Sequence, residues 1–233
     1  CASIEVLVQV PDLSSSLSAT VVVPVVKIQT LRLSTAPYPS YSGSSAHTNV
    51  PLYRLDCTSY YQHTAASVLV NLSDSSEFTV TAQSSFSSSN PAVASLAASR
   101  LRSLSAGTTT LTATFDGHST TQTVEVSDTS VSVTSAVLQA GGSASPYSFA
   151  ALRSSTTGTA VALTFSDGTQ FTNAADSGTL DWFPLSALVN FSTSDPAVVA
   201  VDSSGTLTLH DNHYRMVDVT VTAVCSGLSD GLS

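Results

Sequence analysis

The chain has 233 residues, of which 7 are Lys or Arg and 16 Asp or Glu, against 44 Ser and 30 Thr. At 42% hydrophobic and 10% charged it has the apolar content of a folding chain, unlike the low-hydrophobicity, high-charge composition of a disordered one, and hydroxyls rather than lysine and glutamate must keep it soluble. A formal net charge of −9 with a single lysine, Lys27, leaves no basic patch for a phosphate backbone, which excludes nucleic-acid binding and, for the same reason, disfavours anionic membrane surfaces.

The length accommodates two domains, each with its own core. No sustained 3.6-residue apolar period occurs, whereas period two is everywhere, so the prediction is all-β. In chain order, IEVLVQVPD ending at Asp12 reads as the last strand of a unit. The apolar stretch Ala19 to Val26 is broken by Pro24 and closed by Lys27, far short of the roughly 20 residues of a spanning helix. Tyr53, Leu55 and Cys57 alternate inward, as do Val68, Val70 and Leu72. Thr108 to Phe115 places Thr109, Leu111, Ala113 and Phe115 on one face and threonines on the other. Val217, Val219, Val221, Ala223 and Cys225 repeat that pattern near the end.

Internal repetition gives the organisation. SFSSSNPAVASL from Ser85 recurs as NFSTSDPAVVAV from Asn190, Leu72-Ser73-Asp74 with Phe78 recurs as Phe165-Ser166-Asp167 with Phe171, and LTATFDG ending at Gly117 recurs as VTAVCSG ending at Gly227. Three blocks in one order, twice, mean two copies of one unit. In each copy a phenylalanine closes a strand, Asn90-Pro91 or Asp195-Pro196 makes the turn, and a short strand follows; Gly107 supplies the positive φ at which the next long strand opens. The expected division is 1–12 as the last strand of a preceding repeat, 13–127 as the first complete domain and 128–233 as the second, with almost no linker at Asp128, hence a semi-rigid rod.

Phe86, Ser88, Asn90, Pro91, Val93 and Ala94, followed by Ala106-Gly107-Thr108 and Leu111, resemble the bacterial-type immunoglobulin-like domain of group 2 found in intimin- and invasin-type adhesins. The second unit matches less well, with His210 to Met216 where the Ala-Gly-Thr element would stand. The resemblance implies tandem immunoglobulin-like β-sandwiches serving as spacer or adhesive modules of an extracellular or cell-surface protein, with no catalytic residues to transfer.

Chemistry-bearing constellations are sparse. His210 and His213 lack the further ligands of a metal site, and no nucleophile elbow or phosphate-binding glycine loop occurs, so no enzyme activity, metal or cofactor is expected. Asp12 and Asp128 occupy equivalent exit positions where tandem modules can hold Ca²⁺, but one carboxylate per joint is short of the 6–8 oxygens that ion takes; a turn-capping role is expected. Cys57 and Cys225 are expected as buried thiols in different domains, with Cys1 free to pair elsewhere. Asn71 and Asn190 begin sequons on outward strand positions and are candidate N-glycosylation sites. Trp182, Phe183 and Tyr214 are the candidate contact aromatics, with Pro37 to Asn49 and Asn173 to Ala187 as inserted contact segments. The expected partners are neighbouring immunoglobulin-like domains of the same chain, other copies in a fibre, or a surface ligand. The functional expectation is a structural or adhesion spacer of a long glycoprotein, the alternative a carbohydrate- or protein-binding accessory module.

Overall fold

The structure, a computed structural model, describes residues 2–9, 18–46, 50–140, 153–174, 185–211 and 216–232. Among these, regular structure is strand apart from two 3-10 turns, Thr81–Gln83 and Leu185–Ala187, and no helix is long and apolar enough to cross a membrane. Trp182, Phe183, Tyr214, Asp12, His213 and Cys1 lie outside the described residues, as do parts of both inserted segments.

Strands β1 (Ala2–Gln9) and β2 (Ser18–Val25) form an antiparallel hairpin. The chain thus enters the first sandwich through β2 rather than directly from the 1–12 segment. That sandwich comprises β3 (Ile28–Tyr38), β4 (Leu52–Leu55), β5 (His63–Leu72), β6 (Glu77–Thr79), β7 (Ser85–Ser88), β8 (Ala94–Ala97), β9 (Arg100–Ser103), β10 (Gly107–Phe115) and β11 (His118–Val131). The second comprises β12 (Val133–Ala140), β13 (Thr156–Phe165), β14 (Gln170–Ala174), β15 (Val189–Thr193), β16 (Val199–Val201), β17 (Thr206–Leu209), β18 (Val219–Ala223) and β19 (Ser229–Leu232).

Strand order identifies the fold. The first sandwich pairs β3-β5-β9-β8 in one sheet and β4-β11-β10-β7 in the other; the second pairs β12-β13-β17-β16 and β15-β18-β19. Lettered by position, both are A-B-E-D facing C-F-G, the immunoglobulin arrangement, with β4 added as an A′ strand parallel to G in the first. The chain is all-β, two tandem immunoglobulin-like sandwiches.

The alternation of residue types explains each face. On β10, Thr109, Leu111 and Ala113 are 1%, 0% and 0% exposed, while the intervening threonines face outward. Val124 and Val126 of β11 join them, as do Val219, Val221 and Ala223 of β18 in the second core. Each buried Val or Leu contributes roughly 1.5–3 kcal/mol of transfer free energy, which threonine on the wet face need not supply. The repeated turn is built the same way twice: the Asn90 carbonyl accepts the Val93 and Ala94 N–H groups, both at 3.1 Å, and the Asp195 carbonyl accepts those of Val198 and Val199 at 3.1 and 3.0 Å.

Gly107 opens β10 at φ +145°, and Gly205 closes the Asp202–Thr206 turn at φ +86°. A Cβ at Gly205 would stand 2.5 Å from Thr159 Oγ1 and 2.8 Å from the Phe191 ring, in a left-handed conformation. Gly205→Ala therefore combines backbone strain with overpacking and is expected to destabilise the second sandwich by about 2–4 kcal/mol, read by denaturant unfolding. A loss below about 0.5 kcal/mol would show that the turn relaxes freely.

Candidate functional site

The joint between the sandwiches concentrates the specific contacts. Strand β11 runs out of the first sandwich into the second, and β4 pairs parallel with it: Leu52 lies opposite Val126 and Leu55 opposite Val131, with a register shift between Ser127 and Ser130. That irregularity turns the strands, so their two ends face different cores. Leu52 and Val126 belong to the first hydrophobic cluster, Leu55 and Val131 to the second. One four-residue strand therefore serves two cores, and Tyr53 and Tyr60 also pack against the second.

The segment after β4 folds back on itself. Leu55 N donates to Tyr60 O at 2.8 Å and Gln62 N to Tyr53 O at 2.8 Å, so the tip, Asp56 to Ser59, projects onto the second sandwich. Asp56 N donates to Val131 O at 3.0 Å. At the tip, Cys57 adopts φ 55° and forms a disulfide with Cys225, in the turn after β18; the two Cα atoms are 6.0 Å apart. This corrects the expectation of two buried thiols. Both cysteines are exposed, because β4 buries Leu52 and Leu55 rather than alternating through Cys57, and because β18 ends at Ala223 before alternation reaches Cys225. Asp56 lies beside the two sulfurs, but a disulfide offers no thiolate for a metal.

Two polar contacts flank the bridge. Gln62 Nε2 donates to Asp167 Oδ2 at 2.8 Å and to Thr169 Oγ1 at 2.7 Å, spanning from the first sandwich to the β13–β14 turn. Tyr61, 8% exposed, donates its hydroxyl to Asp128 Oδ1 at 2.6 Å. That hydrogen bond, and then burial, raise the Tyr61 phenol above its usual pKa. Asp128 thus lies within β11 and ties the exit of the first sandwich to Tyr61 through a long-range side-chain hydrogen bond, rather than capping a turn through nearby backbone. Of the histidine pair, His210 is exposed, its backbone N–H on Val198 O at 2.8 Å.

Beside these contacts lies a cleft lined by Pro37, Tyr38, Pro51, Leu55, His63 and Phe171 among others, with about 60 Å³ of free space. Ligand pockets run to roughly 300–1,000 Å³, so this is a packing gap at the joint rather than a binding chamber. Asn190 is exposed on β15, whereas Asn71 on β5 is half-buried and its carbonyl oxygen is buried without a hydrogen-bond partner.

Leu55, Asp56 and Gln62 went unrecognised as joint residues in the sequence. The signal available was the three-residue spacing Leu52–Leu55, which breaks period two at the place where the strand changes cores.

No family model and no curated protein matches the sequence. Among solved structures the chain is similar to the S-layer protein rSbsC, with 16% identity over 94% of this chain and 30% of that one at a TM-score of 0.36. It is also similar to domains 1–6 of the surface layer protein SbsC (15% identity, 99% and 32% covered, TM-score 0.34) and to the titin pair Titin-A168169 (11%, 85% and 98%, TM-score 0.26). The chain spans about a third of the length of the first two. The immunoglobulin-like assignment rests on the order of the strands in the two sandwiches.

Proposed function

We propose that the chain is a structural spacer, two modules of the group 2 bacterial immunoglobulin-like type within a long extracellular or cell-surface glycoprotein that adheres or assembles into a filament. The observation that carries this reading is the joint: β4 is shared by both cores, and Cys57–Cys225 closes it covalently. A joint that buries apolar side chains from both sides and is also cross-linked transmits bending from one module to the next, which a flexible linker would absorb. A disulfide between two folded units also suits an oxidising compartment.

The test is the relative motion of the sandwiches. Backbone ¹⁵N relaxation is expected to report one rotational diffusion tensor for the oxidised chain and partly independent tensors for Cys225→Ser. Two independent tensors in the oxidised chain, or three alkylatable thiols on denaturation without reductant instead of Cys1 alone, would sink the spacer reading.

Glycosylation is expected at Asn190 ahead of Asn71, since Asn190 is exposed whereas Asn71 is half-buried with its carbonyl oxygen shielded, which hinders approach of the transferase. Intact-glycopeptide mass spectrometry of secreted protein from a eukaryotic host checks this; glycan on Asn71 with Asn190 bare is the contrary result.

A further inference from the structure

The first sandwich carries at its N-terminal pole a second copy of the surface by which the second sandwich receives the first. Ser132 N donates to Ser166 Oγ at 3.2 Å and Ser166 N to Ser132 O at 2.9 Å; in the same way Lys27 N donates to Ser73 Oγ at 3.1 Å and Ser73 N to Lys27 O at 2.9 Å. The register shift that opens β12 on β13, between Val133 and Ser135, recurs between Ile28 and Thr30 where β3 opens on β5. The Asp167–Thr169 turn that Gln62 grips has its counterpart in the Asp74–Ser76 turn, where Ser76 N and Oγ donate to Asp74 Oδ1 as Thr169 N and Oγ1 donate to Asp167 Oδ1.

The difference between the two poles is coverage. Phe171 lies opposite Leu163 and is 4% exposed against the joint; Phe78, opposite Val70 in the corresponding place, is 56% exposed. Val126 stands six residues before the Ser132 clamp and is 2% exposed; Val21 stands six before Lys27 and is 55% exposed. Ile4, Val6 and Val23, paired across the hairpin with Val23, Val21 and Ile4, are likewise bare at 58%, 45% and 45%. Val22, which points to the opposite face of the hairpin, is bare as well at 59%, so β1 and β2 lack cover on both faces, and so dense a run of bare β-branched residues marks strands built to be covered.

We infer that this pole is a joint whose occupant is an immunoglobulin-like unit preceding it in the same polypeptide, of which β1 and β2 are the F and G strands. The occupant's A-B-E-D sheet covers the face of Val6 and Val21, its A′ strand pairs parallel with β2 as β4 does with β11, and its following loop covers Phe78 and grips the Asp74–Ser76 turn. Phe115 stands where Cys225 does in the second unit, so this joint closes without a disulfide at that turn. The inference deepens the spacer reading, but its test is separate, because it asks whether the pole is covered and not how stiff the other joint is.

The experiment compares hydrogen exchange in the 233-residue chain and in the parent polypeptide extended upstream by about one repeat, the 105-residue spacing from Ile28 to Val133. Amides of β1, β2 and β6 are expected to exchange at least about 100-fold more slowly in the extended chain, together with one additional cooperative unfolding transition. Val21→Asp should abolish that transition and leave the other two in place; Phe78→Ser should lower it while leaving the 233-residue chain unchanged. Equal exchange in both chains would overturn the inference. So would sedimentation of the 233-residue chain as a dimer with those amides already protected, since the occupant would then be a second copy.

Discussion

Leu55→Ala is expected to destabilise the second sandwich by about 3 kcal/mol, although Leu55 sits in the strand that belongs, by chain order, to the first. Leu55 is 2% exposed and packs in the cluster of Leu138, Val161, Leu163 and Phe165, so truncating it leaves a cavity there. For a unit of about 100 residues, that loss corresponds to roughly 12 °C or more in the melting temperature of the second sandwich. Leu52→Ala, three residues earlier, should instead act on the first sandwich, because Leu52 packs with Leu101, Leu111 and Val126. Residue-resolved exchange or NMR in denaturant separates the two transitions. If both substitutions destabilise the same sandwich, β4 does not divide its side chains between two cores.

The parts of the fold legible in the sequence are those in which one strand serves one core. In Thr108 to Phe115 and Val217 to Ala223, burial depends on nothing beyond the pleat, so period two reports it directly. The Asn90-Pro91 and Asp195-Pro196 turns were readable because their chemistry is local, an Asx residue followed by a fixed φ. The joint is a different matter. At Leu52 to Cys57 the burial pattern is set by two bodies, and the register shift in β11 shifts the phase between them; alternation placed Cys57 inward when the turn places it outward. Pairing of Cys57 with Cys225 depends on how two modules meet, which a sequence separation of 168 does not reveal. The N-terminal hairpin shows in the sequence as one strand, since the partner role of Ser18–Val25 follows from pairing rather than from pattern.

Acidification provides the other large effect. His63, 6% exposed at the cleft beside the joint, has its pKa lowered to about 3, first by burial and then by the charge of Arg102; its Nδ1 accepts the Ser103 N–H at 3.2 Å, which favours the neutral ring. A folded-state pKa below the unfolded value of 6.5 means that the unfolded chain binds the extra proton in the window between them. The stability associated with neutral His63 is thus complete above about pH 6.5 and is lost as pH falls towards 3, with a full extent of about 5 kcal/mol. Between pH 6.5 and roughly pH 4.5 the first sandwich is expected to lose about 2 kcal/mol from this group alone, before the depressed carboxyls of Asp74 and Asp202 begin to titrate. His63→Gln, which keeps an acceptor for Ser103 but does not titrate, should flatten that slope while lowering stability at neutral pH by a smaller amount. Denaturant unfolding at a series of pH values checks it: parallel slopes for the two proteins would show that His63 is protonated in the fold and that water or a carbonyl reaches its ring.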